Sequence, residues 1–418
     1  MIILGVLSAL RALTISTPNC ATDSDCSLNG ICTPTTGTCA CDAEWLGEKC
    51  ETLNLLPTLH DNGFQPANSS SWGGSLIRDP TDGRVHMFAA LMTKHCGLRS
   101  WKTNSAIVHL VGTSPLGPFS SSVYSPIVPR FAHNPTIHRN ADGRYLLYHI
   151  GCGASPAACP DCVPGCTNGS TPQTSPALVP AAAQRINSSS RPQSAASAAA
   201  GSSSCNGPHW TGLRTSMSLN GPWRDEGEVS LNTTHAQSWI TNPCVVPAGE
   251  TDNTTNAYLL YRQSQGQWPE GGGGSGERLG WAVAQDCAST INCTYLDKSP
   301  RSPILNCNLE DQYLWRDHRG NFHALTHKNC AEKGVSGHMW SADGGATWRS
   351  SPIAPYNNTI VLKGGTTMEC GMRARPMLLI EGGRPKYLST GASYAGGDDH
   401  TFTSMQEIGS SSTSHHHQ

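Results

Sequence analysis

One strand–turn–strand unit recurs five times along the chain, and that repeat limits the fold more than any other feature. The copies are "GGSLIRDPTDGRVHMFAAL" from Gly73, "HNPTIHRNADGRYLLYHIG" from His133, "TNPCVVPAGETDNTTNAYLLYR" from Thr241, "EDQYLWRDHRGNFHALTH" from Glu310 and "ARPMLLIEGGRPKYLSTG" from Ala374. Each joins two β-rich runs through a turn, with Asp-Gly or Gly-Gly in three of them, which is a hairpin signal. Their starts fall 60, 108, 69 and 64 residues apart, and the long interval holds an insertion. The outer halves recur more loosely, in "GTSPLGPF", "SMSLNGPW" and "WSADGGATW". Four strands per unit, repeated about every 65 residues, predict an all-β fold, a five-bladed β-propeller over residues 52–408. The last copy runs short. "ETLNLLPTLHDNGF" from Glu51 is expected to supply the missing outer strand and close the ring, which removes the exposed sheet edges.

Composition agrees with strands and turns: Gly (43) and Pro (28) are plentiful, and long helical periodicity is lacking. Charged residues make up 14% and the net charge is −2, which argues against a nucleic-acid or membrane-surface partner. Eighteen cysteines and seven Asn-x-Ser/Thr sequons (Asn68, Asn168, Asn187, Asn232, Asn253, Asn292 and Asn357) predict a secreted, disulfide-bonded glycoprotein. Residues 1–18 read as a short signal-like segment or, equally, as a mis-assigned start; no apolar run is long enough to span a membrane. Residues 153–205, rich in Ser, Ala and Pro, are expected to form a surface insertion in the second blade, and residues 409–418 a disordered tail. Cys159, Cys162 and Cys166 have ligand-like spacing, but disulfides with Cys152 or Cys205 suit an exported chain better. No metal site and no cofactor are expected, and no oligomeric state is implied.

Ahead of the repeats, Cys20, Cys26, Cys32, Cys39, Cys41 and Cys50 are spaced C-x5-C-x5-C-x6-C-x-C-x8-C within residues 19–51. Spacing alone allows 15 connectivities. The pattern resembles an EGF-like domain, and the resemblance implies the pairs Cys20–Cys32, Cys26–Cys39 and Cys41–Cys50. No histidine falls in the segment, which disfavours a metal cluster, and no acidic residue precedes the first cysteine in "TISTPNC", which disfavours a calcium-binding version.

The x-x-Pro triplets at strand starts, the five blades and the S-x-D-x-G-x-T-W box ending at Trp348 resemble the five-bladed propeller of glycoside hydrolase family 43 and its relatives. With the preceding cysteine-rich segment, "HNP", "YLLYHIG", "LGPF", "TNP" and "YLLYR" are similar to a group of eukaryotic extracellular proteins within that superfamily. The resemblance implies a sugar-binding central funnel, at which the innermost strands begin, and carboxylates supplied by separate blades. Aligned on the triplets, one column reads Gly74, Asn134, Asn242, Asp311 and Arg375, and the column before it Gly73, His133, Thr241, Glu310 and Ala374. Only the fourth copy has acids, and an asparagine keeps the shape of an aspartate without accepting a proton. Two functions follow. A glycoside hydrolase would use Glu310 or Asp311 as a carboxyl and His133 as its proton-transferring partner. A glycan-binding protein would instead use Asn134, Asn242, Arg262, Arg375, His149, His327 and His338 on sugar hydroxyls, with Trp72 or Trp239 stacked on a ring, whereas a structural adhesion protein would need none of them. The expected partner is an extracellular polysaccharide or glycoprotein glycan. Asp79, in "RDPTDG", reads as a turn residue.

Overall fold

A computed structural model describes residues 19–119, 126–129, 131–151, 153, 211–233, 239–249, 255–264, 276–287, 291, 293–299, 301, 303–331, 336–396 and 399–409. The signal-like segment, the bulk of the insertion, the tail and the side chain of Trp239 lie outside them. The described chain forms a five-bladed β-propeller with a small disulfide-rich unit at its front. The inner strands are Ser71–Arg78, His133–Arg139, Trp239–Val246, Tyr313–Arg316 and Thr367–Glu381, one per blade. Each pairs antiparallel with the second strand of its own blade. Each also touches the inner strands of its neighbours, and the fifth touches the first, so the ring is closed. Closure is completed by Gly63–Phe64, which pairs with Thr403 and Ser404 on the outer side of blade five. The chain thus fastens its last blade with a strand from before its first, as the short last repeat predicts.

Alternation explains the packing. In a strand such as Val85–Met92, successive side chains face opposite sheet faces, and here both faces are covered by adjacent blades. The S-x-D-x-G-x-T-W box folds into a local hydrogen-bonded knot. Asp343 accepts from Ser341 Oγ (2.8 Å), Thr347 N (2.8 Å) and Thr347 Oγ1 (2.6 Å), which turns Trp348 inward against Trp281. The looser "GPF" and "GPW" motifs share a cis Gly-Pro bond, at Pro118 and Pro222.

The front unit is held by Cys20–Cys32, Cys26–Cys39 and Cys41–Cys50, the same pairs that the resemblance implies. It docks near the hairpin turns of blades four and five. Asp42 takes both Arg319 guanidinium nitrogens at 2.7 Å, and buried Glu44 holds Arg384 (3.0 Å) and Lys386 (2.9 Å). Trp45 packs on His338, with ring centroids 4.9 Å apart. Two further disulfides, Cys287–Cys293 and Cys307–Cys330, brace blades three and four. Among the described residues no helix is long and apolar enough to cross a membrane.

Candidate functional site

Within or just ahead of each inner strand one residue adopts a left-handed backbone: Gly73 (φ 52°), Asn134 (50°), Asn242 (52°), Asp311 (54°) and Arg375 (50°). The pairing registers shift at this position in blades one, two, three and five, as a β-bulge requires. With Asp311 of blade four, where the pairing is regular, these residues form one column across the five blades. This corrects the sequence alignment in blade one by a residue: Gly73, not Gly74, belongs with Asn134, and Trp72, not Gly73, belongs with His133, Thr241, Glu310 and Ala374. Two consecutive glycines gave that alignment nothing to register on.

The axial column plugs the ring. Asn134 Nδ2 (3.0 Å) and Asn242 Nδ2 (2.8 Å) both donate to Asp311 Oδ1, and Arg375 Nη1 stands 3.9 Å from the same oxygen. Arg375 Nη2 also donates to the Asn134 carbonyl (3.0 Å) and to Thr136 Oγ1 (3.1 Å). A Cβ on Gly73 would lie 2.4 Å from Arg375 Cγ, so glycine makes room for the arginine stem. Burial and the neighbouring Glu310 charge raise the Asp311 carboxyl pKa, against the pull of Arg375. Asn134, Asn242, Asp311 and Arg375 are therefore engaged with one another, away from solvent.

In the column before it Trp72, His133, Thr241 and Ala374 are buried, and Glu310 alone is half-buried. Glu310 lies within 2.6 Å of Lys328 Nζ, 3.2 Å of His327 Nδ1 and 3.6 Å of Arg262 Nη2. Glu277 completes the group through ion pairs to Arg262 and to Lys328 Nζ (2.6 Å). These five side chains keep between 15% and 27% of their surface exposed, unlike the axial plug. Topology brings them together. Arg262 is near the end of the second strand of blade three (Ala257–Ser264), Glu277 begins its third (Glu277–Ala284), and His327 and Lys328 directly follow the second strand of blade four (Phe322–Thr326). All occupy strand ends on the side of the ring where the inner strand of blade four begins. Burial and a hydrogen bond to Glu310 raise the pKa of Glu277 despite its two cations. Burial acts the same way on Glu310, but hydrogen bonds from His327 and Glu277 and the charges of Arg262 and Lys328 outweigh it and hold that carboxylate ionised. Glu277 and Lys328 are residues that reading the sequence missed.

His133 donates to or accepts from Ser105 Oγ through Nδ1 (2.7 Å) and lies beneath Trp101, whose ring centroid is 5.3 Å away. Burial, helped by Arg375, lowers its pKa to about 3, so it is neutral at ordinary pH and has no proton to give as an acid. Trp101, at the rim of blade one and only partly buried, carries Lys102 Nζ 5.2 Å above its ring. Three expected ligands are interior instead. Trp72 is 4% exposed, packed on Ala90, Met92 and Ala374 and against Gly391, so neither ring face is open to a sugar. His149 is buried over Gly212. His338 is stacked among Trp45, Trp315, Trp340 and His323, in the contact with the front unit.

No family model matches the chain, and no curated protein does. Solved structures similar to it include a protein of unknown function from Dyadobacter fermentans, at TM-score 0.49 and 12% identity over 85% of this chain and 98% of that one. A thermostable family-43 glycoside hydrolase gives 0.48 and 8%, over 84% and 92%. A xylan β-1,4-xylosidase from Bacillus halodurans gives 0.46 and 12%, over 82% and 54%. Likeness at this level bears on neither activity nor substrate.

Proposed function

We propose that the chain is an extracellular glycan-binding propeller that takes a sugar at the rim between blades three and four. The observation that carries this reading is the half-open cluster of Glu310, Glu277, Arg262, Lys328 and His327, poised above an axial plug that is closed to ligands. Carboxylates accept from sugar hydroxyls and the cations donate to ring and hydroxyl oxygens. Export is supported by the disulfides and by Asn68, Asn232 and Asn357, three sequon residues that are exposed on the surface. The front unit's pairing supports an EGF-like module, a spacer or adhesion element rather than part of the site.

Hydrolysis is the second reading, favoured by the opposite directions in which Glu277 and Glu310 are shifted, since an acid and a base are made by environments that push two carboxyl groups apart in pKa. Against it, carboxyl groups in mutual contact leave no room for the sugar carbon and water that separations of about 5–9.5 Å provide. A glycan-array screen, with every hit assayed for reducing-end release, separates the two. Binding without release, weakened about 10–100-fold in Glu310→Gln and Arg262→Ala by loss of charge-assisted hydrogen bonds, supports the first. Release that disappears in both Glu310→Gln and Glu277→Gln supports the second. Absence of any glycan hit removes both.

A further inference from the structure

A second polar constellation lies at the opposite end of blade one, in the hairpin turn between Ser71–Arg78 and Val85–Met92. One ligand atom from each of Asp79, Asp82 and His86 can be drawn within 4.8 Å of the others. His86 is fully buried, and its Nε2 has no hydrogen-bond partner; Asp79 Oδ2, 4.0 Å away, is beyond hydrogen-bonding reach. A buried, unpaired ring nitrogen aimed at a carboxylate is costly in either tautomer. If His86 Nδ1 donates to His109 Nε2, 2.8 Å away, the Nε2 lone pair faces an anion. If His109 donates instead, the Nε2 proton points at an acceptor too distant to take it.

We propose that Asp79 Oδ2, a carboxylate oxygen of Asp82 and His86 Nε2 form a three-ligand site for a divalent transition metal, with water completing the shell. A cation satisfies the first tautomer outright: the lone pair and both carboxylates then converge on it. The nitrogen ligand selects zinc-like ions over calcium and magnesium, which take oxygen. Zinc ligand bonds of about 2.0–2.2 Å require the three atoms to close by on the order of 1 Å, and Asp82 sits on an exposed turn able to move. Its partner Arg84 is a solvent-exposed ion pair, which yields at little cost. The supporting shell is in place. Asp79 Oδ1 is held by Thr81 N (2.8 Å) and Thr81 Oγ1 (2.6 Å), which leaves Oδ2 toward the histidine, and His109 fixes the far side of the His86 ring.

The test is equilibrium dialysis of chelator-stripped full-length protein against zinc, with bound metal counted in the parent, Asp79→Asn and Asp82→Asn. Zinc on His415, His416 and His417 near the chain end is common to all three, so the difference reports the hairpin site alone. Asp82 is exposed and Asn at position 79 keeps the acceptor for Thr81, so both variants retain the fold, checked by their melting in chelator. The expected result is loss of about one equivalent, or at least a tenfold weaker site, in each variant. Zinc binding that survives either substitution undiminished overturns the assignment.

Discussion

Asp311 shows how a residue that reads as catalytic becomes structural when its neighbours are counted. Its carboxylate is the meeting point of two amides and a buried guanidinium drawn from three other blades. Removing it leaves Arg375 charged and unpaired at the axis, so Asp311→Ala is expected to cost about 3–5 kcal/mol in a urea melt. Asp311→Asn, which keeps the shape, should cost less; equal stability of the alanine variant and the parent would deny the plug any role. Part of this was legible. Gly, Asn and Asp tolerate the left-handed backbone, so a column reading Gly, Asn, Asn, Asp announces the bulge that makes the plug. Arg375 obeys no such preference and is held there by its contacts. Glu277 and Lys328 were illegible for a different reason: they lie outside the repeated strand starts, and ion pairs between different blades leave no local pattern in the sequence.

Among the elements, the two-residue strand Gly63–Phe64 has the largest consequence for its size. It adds the outer strand that the last repeat lacks, and Gly63, at φ 108°, accepts from Phe119 N (2.7 Å) and donates to the Leu116 carbonyl (2.9 Å). A Cβ there would stand 2.1 Å from the Thr403 carbonyl oxygen, so backbone must shift in a conformation that already disfavours a side chain. Gly63→Ala is therefore expected to lower stability by about 1–3 kcal/mol, with amide exchange rising first in Thr401–Glu407. Uniform exchange across all five blades would show that closure is shared, not localised at this strand. The need for such a strand was readable, because a propeller repeat with one strand missing demands it from elsewhere in the chain. Its two-residue length was not, since pairing with Thr403 and Ser404 is set by the position of an edge the sequence does not display.

For the whole molecule the decisive quantity is the burial of histidine rings, complete for His133 and His149 and partial for His109. Burial, aided by neighbouring positive or imidazole groups, lowers His133 to about 3, and His109 and His149 to about 4. In the unfolded chain each returns to about 6.5, so below that pH the unfolded state binds protons that the folded state refuses. The sign is fixed by linkage: their contribution is fully present above about pH 6.5 and is lost progressively as pH falls through the folded values. Asp317 adds a second, lower step. Burial opposes its ionisation, but hydrogen bonds from His323 and Asn321 bring its pKa to about 2, so its share fades only below the ordinary carboxylate range. Thermal midpoints measured from pH 8 to pH 4 should be level at first and then fall steeply below pH 6.5. His109, half-buried, stacks on Phe88 in blade one, whereas His149 lies in blade two. His149→Gln, which cannot be protonated, should therefore flatten only its own share of the slope. A midpoint that stays level down to pH 4 would mean that the rings reach water or a charge partner in solution, and with it the sealed interior from which the plugged axis was argued would have to be abandoned.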